Sequence, residues 1–173
     1  MPNRKVADIQ ASRRVVRLEP HASVREASRL MVRERVGAVL VIEGPEMDPE
    51  TGQGESGGTR ERLLGIFTER DALNRVIATD RVPEHTTLAE VMTPDPKTVS
   101  PQDKAVEALR LMHEGGFRHL PVVEPEEDGS GRVVGVISLR DFIGAELAAV
   151  EQQASLTALV AGGSPGRGRP RRR

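Results

Sequence analysis

The 173-residue chain carries 25 basic and 26 acidic residues, so its overall field selects neither nucleic acid nor a membrane surface as a partner. It has no cysteine, which excludes disulfides, thiolate catalysis and cysteine metal sites, and its three Phe with no Trp or Tyr are too few for base-stacking platforms. No run approaches about eighteen continuous apolar residues, and no apolar signal core opens the sequence, so the expected setting is cytoplasmic.

Val15 to Leu18 reads as a short strand stopped by Pro20. Ser23 and Glu26 have the spacing of a capping box, and Val24, Ala27, Leu30 and Met31 then share one face of a helix. Ala38 to Ile42 is an unbroken apolar run of strand length, consistent with burial on both faces. Residues 44–60 are rich in Gly, Glu and Pro and read as a mobile insert, tolerated because closure entropy grows slowly with loop length. Leu63 to Phe67 is the next strand. Thr68 then starts a helix expected to turn Ala72, Leu73, Val76 and Ile77 inward.

Pro94, Pro96 and Pro101 keep the following junction extended. Thr98 and Val99 form a strand, Ala105, Ala108, Leu111 and Met112 a helix face, and Leu120 to Val123 and Val133 to Ile137 two more strands. A longer helix is expected from about Leu139 towards Gln153. The end from Gly162 to Arg173 holds Gly, Pro, Ser and five Arg without an apolar anchor and reads as mobile. The arginines could touch nucleic acid, but a solvated end is the simpler reading.

The second series of elements repeats the first. Glu26, Ala27, Arg29, Leu30 and Met31 return 81 residues later as Glu107, Ala108, Arg110, Leu111 and Met112, and Pro20 returns as Pro101. Leu64 to Asp71 returns as Val134 to Asp141, closer by the 11 residues of the insert, and Val6 to Ile9 aligns with Leu88 to Val91 after a one-residue slip. Duplication at this scale predicts two equivalent halves, residues 1–81 and 82–153 with an end from 154, and two related clefts.

Both copies close on Gly-x-x-Ser/Thr-x-x-Asp: Gly65, Thr68 and Asp71, then Gly135, Ser138 and Asp141. A hydroxyl at a strand-to-helix junction stands beside the unpaired amides of a first helical turn, which favour an anion such as phosphate. The carboxylate three residues on can accept hydrogen bonds from a vicinal diol such as ribose. A glycine before the strand's end lets another backbone approach closely. The same residues also serve as plain helix caps, as Ser23 and Glu26 do without a preceding glycine. His21, His85 and His113 share no metal-ligand spacing, no Ser-His-Asp or Cys-His set is present, and no phosphate loop of the Walker type occurs. Neither a metal site nor an enzyme is expected.

The whole pattern, carried by Val91 to Thr93, Thr98 to Pro101, the two Ala-x-x-Leu-Met helices, Phe117 to Val123 and both motif endings, resembles a tandem pair of CBS domains over about residues 5–150. The resemblance implies an α/β (α+β) fold of two β-α-β-β-α repeats with pseudo-two-fold symmetry, small sheets packed by helices. It implies a non-enzymatic regulator that binds AMP, ADP, ATP or NAD(H) in clefts between the repeats and signals through a conformational or dimer change. Asp71 and Asp141 would hold ribose; Thr68, Ser138, Arg118, His119 and Arg140 would reach phosphate. Ile66, Val99, Leu120, Pro121, Ile137, Gly37 and Ala38 would line the adenine pocket. On the family's geometry the cleft using Asp71 receives Arg118, His119 and Arg140, whereas the Asp141 cleft faces the neutral Gly37, Ala38 and Val39. A homodimer is expected through apolar faces around Ala72, Leu73 and Val76 and around Phe142, Ile143 and Leu147. The competing readings are a ligand-free dimeric adaptor docked on an enzyme or transporter, and a nucleic-acid binder using the arginine-rich end.

Overall fold

The computed structural model describes residues 4–9, 15–44, 61–126 and 131–143. The expectations for the insert after Gly44, for the last helix beyond residue 143, including Leu147, and for the arginine-rich end lie outside them. The elements are α1 (Val6–Ile9), β1 (Arg17–Leu18), α2 (Val24–Glu34), β2 (Ala38–Glu43), β3 (Arg62–Thr68), α3 (Glu69–Asp71), α4 (Leu88–Val91), β4 (Thr93–Pro94), α5 (Ala105–Gly115), β5 (His119–Pro125) and β6 (Gly131–Ser138). Residues 139–143 are again helical. The α/β architecture expected of the duplicated pattern is present.

The duplication reaches the level of single pairings. β1 lies parallel to β2 with Leu18 opposite Val41, and 81 residues later Val99 forms a parallel bridge to Val122. β2 and β3 are antiparallel with Ala38 opposite Thr68, as β5 and β6 are with His119 opposite Ser138. Both hairpins shift register at the same place, between Val41 and Ile42 and between Val122 and Val123. A bulge kept in both copies bends each hairpin alike.

The first sheet runs β1-β2-β3-β4, while the second, among the described residues, holds β5 and β6. β4 pairs with β3 through Gly65–Pro94 and Ile66–Thr93. A side chain at Gly65 would put its Cβ 2.9 Å from the Thr93 carbonyl oxygen, which is why a glycine stands there. Pro94, with no amide to donate, sits on the edge.

Among the described residues, three apolar clusters form the core. One joins Val24, Ala27, Met31, Val39, Val41, Phe67 and Val76 to Leu88 and Val91 of α4. Another joins Ala105, Ala108, Met112, Leu120, Val122 and Ile137 to Val6 and Ile9 of α1. Each leading helix therefore packs into the other repeat's core. The backbone bonds agree: Leu88 N donates to Ala22 O at 2.9 Å and Val24 N to Thr86 O at 2.9 Å, while Val6 N donates to Asp103 O at 2.9 Å and Ala105 N to Arg4 O at 2.8 Å. The third cluster, Ala38, Leu40, Ile42, Ile66 and Val133, with Val123 and Val136 against it, lies where the two hairpins meet.

The helix after Thr68 departs from expectation. Ala72 and Val76 turn inward, but Leu73 and Ile77 are 58% and 62% exposed. For Ile77 the cause is a change of pitch: α3 runs into a π-type turn over Ala72–Val76, where the Ile77 amide donates to the carbonyls of Ala72 and Leu73, and then into a 3₁₀ turn over Ile77–Thr79. An i→i−5 turn rotates the following side chains away from the face that a 3.6-residue period assigns them.

Candidate functional site

Thr68 and Ser138 each end a strand in extended pairing, with the next residues already helical, so each hydroxyl lies at a helix's first turn. The carboxylates fold back onto these hydroxyls. Asp71 Oδ2 accepts from Thr68 N at 2.9 Å and Thr68 Oγ1 at 2.7 Å, and Asp71 N donates to Thr68 Oγ1 at 3.3 Å. Asp141 Oδ2 accepts from Ser138 N at 2.6 Å and Ser138 Oγ at 2.8 Å. Both motifs thus form caps, like Thr87 with Glu90 at the start of α4. What remains in each is the second carboxylate oxygen. Asp71 Oδ1 lies 3.4 Å from Arg75 Nε.

The two motifs approach one another around a glycine. The Gly37 carbonyl accepts from Glu69 N at 3.2 Å, beside the first motif, and the Arg118 carbonyl accepts from Leu139 N at 3.0 Å, beside the second. A Cβ on Gly37 would lie 3.3 Å from His119 Nε2 and 3.3 Å from Glu69 Oε2, a tight fit, so the glycine leaves room for both the imidazole and this carboxylate beside it. Arg70 Nη1 donates to Gly116 O at 2.8 Å, tying the first motif's helix to the end of α5.

His119 stands at the centre of this seam. Burial pushes its pKa below the usual imidazole value, Arg118 adds to the fall, the carboxylates of Glu69 and Asp141 oppose it, and Arg140 adds a smaller depression. The antiparallel pairing puts His119 opposite Ser138, and Asp141 and Arg140 follow it within one helical turn. Arg118 and His119 therefore adjoin the second copy's motif directly. Their link to the first runs through Glu69, immediately after Thr68.

The apolar candidates divide. Val99, Leu120 and Ile137 are core residues of the second repeat, and Ile66 and Ala38 belong to the cluster where the hairpins meet. Pro121 is buried opposite Val136, and Gly37 is half-buried at the seam. Arg118 and Arg140 are exposed. Sequence reasoning passed over Glu69, Arg70 and Arg75. Arg75 was within reach, because a basic residue four positions after a helix-start Asp is the spacing of a helical ion pair. Among the described residues, no group of three or more His, Asp or Glu is placed to hold a metal, and no helix is long and apolar enough to cross a membrane.

Comparison with known proteins places this geometry. A family model described as CBS domain matches residues 6–52 and 88–148. The CBS domain-containing protein CBSCBSPB2 of Arabidopsis thaliana is 36% identical over 142 residues, which cover 80% of this chain and 23% of that protein. The chain spans less than a quarter of the length of such curated relatives. A solved CBS-domain protein from Burkholderia ambifaria superposes with a TM-score of 0.68 and 28% identity, over 84% of this chain and 95% of that one. A CBS domain protein from Pyrobaculum aerophilum, solved in complex with AMP, shares the fold with a TM-score of 0.60 at 24% identity, over 80% of this chain and 89% of its own.

Proposed function

This chain belongs to the CBS-domain family, and on that premise we propose that it is a non-enzymatic regulatory module binding an adenosine nucleotide (AMP, ADP, ATP or NAD(H)) at the seam between its repeats. The observation that carries the reading is the seam itself: Arg118, His119 and Arg140 gather with Glu69 and Asp141 beside two capped helix starts, around a glycine. Cations and first-turn amides suit a phosphate chain. The carboxylate oxygens of Asp71 and Asp141 not used by the caps suit ribose hydroxyls. That a protein of this fold was solved with AMP supports the choice of nucleotide.

Signalling then follows from unequal affinity of the ligand for two arrangements of the repeats. A homodimer is part of the proposal, since Leu73, Ile77 and Ile143 offer exposed apolar side chains to a second copy. Titration calorimetry against AMP, ADP, ATP and NAD(H) tests it. Binding is expected, with loss on Asp71→Ala. No heat at millimolar nucleotide, with an unshifted melting temperature, would sink the reading.

One observation favours a second reading, the ligand-free adaptor. The caps are complete without a ligand: Asp71 Oδ2 and Asp141 Oδ2 each accept two hydrogen bonds already. On that reading, replacing either Asp lowers stability and alters no nucleotide response.

A further inference from the structure

Arg75 joins the first motif to the end of α4, some 16 residues further along the chain. It lies one turn after Asp71, and its Nε faces Asp71 Oδ1 at 3.4 Å. Its Nη1 donates to Val91 O at 2.9 Å and to Met92 O at 2.6 Å. Those carbonyls belong to the end of α4, whose last turn has no further helical amides to use them. Met92 in turn lies over Gly65, whose Cβ would stand 2.9 Å from Met92 Cγ, and Thr93 pairs with Ile66. One guanidinium therefore spans the motif carboxylate and the exchanged segment that closes the first repeat's core.

The division of labour on Asp71 is specific. Oδ2 is spent on the cap to Thr68, so Oδ1 is the oxygen facing Arg75. Two carbonyls hold the guanidinium through Nη1, which keeps Nε turned towards Oδ1. The second copy has no basic residue at this spacing: four residues after Asp141 stands Ala145, a methyl group where the first copy has a guanidinium.

We propose that Arg75 is the positioning residue that makes Asp71 the better diol acceptor of the two motif carboxylates, and that it couples occupancy of that oxygen to the α4–β4 segment. This inference rests on the nucleotide reading for its ligand half; its structural half, the link from Asp71 through Arg75 to residues 88–95, stands without a ligand. A diol donating to the other lone pair of Oδ1 shares that oxygen with Arg75 Nε and so shifts the guanidinium. The carbonyls of Val91 and Met92 register that change, and with them the segment that crosses from one repeat to the other.

The test has two arms. In the ligand arm, calorimetry compares AMP with 2′-deoxy-AMP on the unaltered protein, Arg75→Lys and Arg75→Gln. Arg75→Gln should weaken AMP about tenfold while leaving 2′-deoxy-AMP nearly unchanged, so that discrimination collapses, and Arg75→Lys should restore part of it. An equal loss for both ligands would mean a merely structural role and would overturn the positioning claim. In the ligand-free arm, hydrogen exchange of the amides in residues 88–95 is followed through the cycle Asp71→Asn, Arg75→Gln and both together. Non-additive loss of protection supports the link; additivity overturns it. If the unaltered chain binds no nucleotide, the nucleotide reading falls together with the ligand half, and the exchange cycle alone still decides the link.

Discussion

The two repeats share their pairings and bulges, yet differ at the positions that face the seam and end the helices. The first offers Gly37 and Ala38 where the second offers Arg118 and His119. It ends α2 on Arg35 at φ 56°, where α5 ends before Gly116 at φ 66°. It follows its motif Asp with Arg75, where the second has Ala145. The buried faces, by contrast, keep Ala27 and Ala108, Met31 and Met112, Val41 and Val122 in step. The core specifies one scaffold twice, and the seam uses the two copies for different tasks. Neutral small residues on one side make room, and cations on the other side provide charge.

Four measurements press on this contrast. The largest effect is expected from Gly65→Val, which drives a branched side chain into the Thr93 carbonyl and Met92 and should cost about 3 kcal/mol in denaturant unfolding. Its exchange signature should centre on residues 88–95, leaving 97–125 comparatively protected. Next, Asp71→Ala removes both a cap and the Arg75 pair, for a loss of about 1 kcal/mol or slightly more, whereas Asp141→Ala should cost less. Equal costs would make the two motifs equivalent after all.

A third comparison exchanges the helix ends. A Cβ at Gly116 would meet nothing within 4 Å, so Gly116→Ala tests conformation alone and should destabilise by about 1 kcal/mol, while Arg35→Gly should stabilise by a similar amount. Thermal melts of both variants suffice.

The smallest effect concerns His119. Its folded pKa lies below the unfolded value, so the unfolded chain binds the proton more readily in the interval between them. Stability should therefore fall as pH drops through the unfolded imidazole pKa towards the folded one, and be level above it. His119→Gln should flatten that part of the profile. The charges of Glu69, Asp141, Arg118 and Arg140 all act on the ring, so an anionic ligand on the arginines should raise its pKa and bind more tightly at lower pH.

Much of this was legible in the chain. Repetition at fixed offsets gave the elements and the paired caps, because cap spacing and strand alternation are local properties. Gly65 signals a close backbone approach and the prolines after Met92 an extended junction, but neither identifies Thr93–Pro94 as the strand that pairs there. Three things were not legible. The crossing of α1 and α4 into each other's cores depends on which of two near-identical apolar surfaces each helix meets, and equivalent sequences cannot say which. The outward turn of Ile77 follows from a local change of helical pitch that a periodic pattern does not encode. The meeting of Gly37 with His119 joins residues 82 positions apart, and only the packed hairpins bring them together.

The crossing of the leading helices also sets where this molecule can be cut. A break at residues 80–86 respects the sequence repeat but leaves the first piece without Leu88 and Val91, and with Val6 and Ile9 lacking their pocket. A break just after Pro94 instead keeps every member of the first core together, Val91 included. Any engineering of single halves, circular permutation or exchange of repeats between relatives should follow that second boundary. The unit of duplication and the unit that holds a whole first core are offset from each other by one short helix.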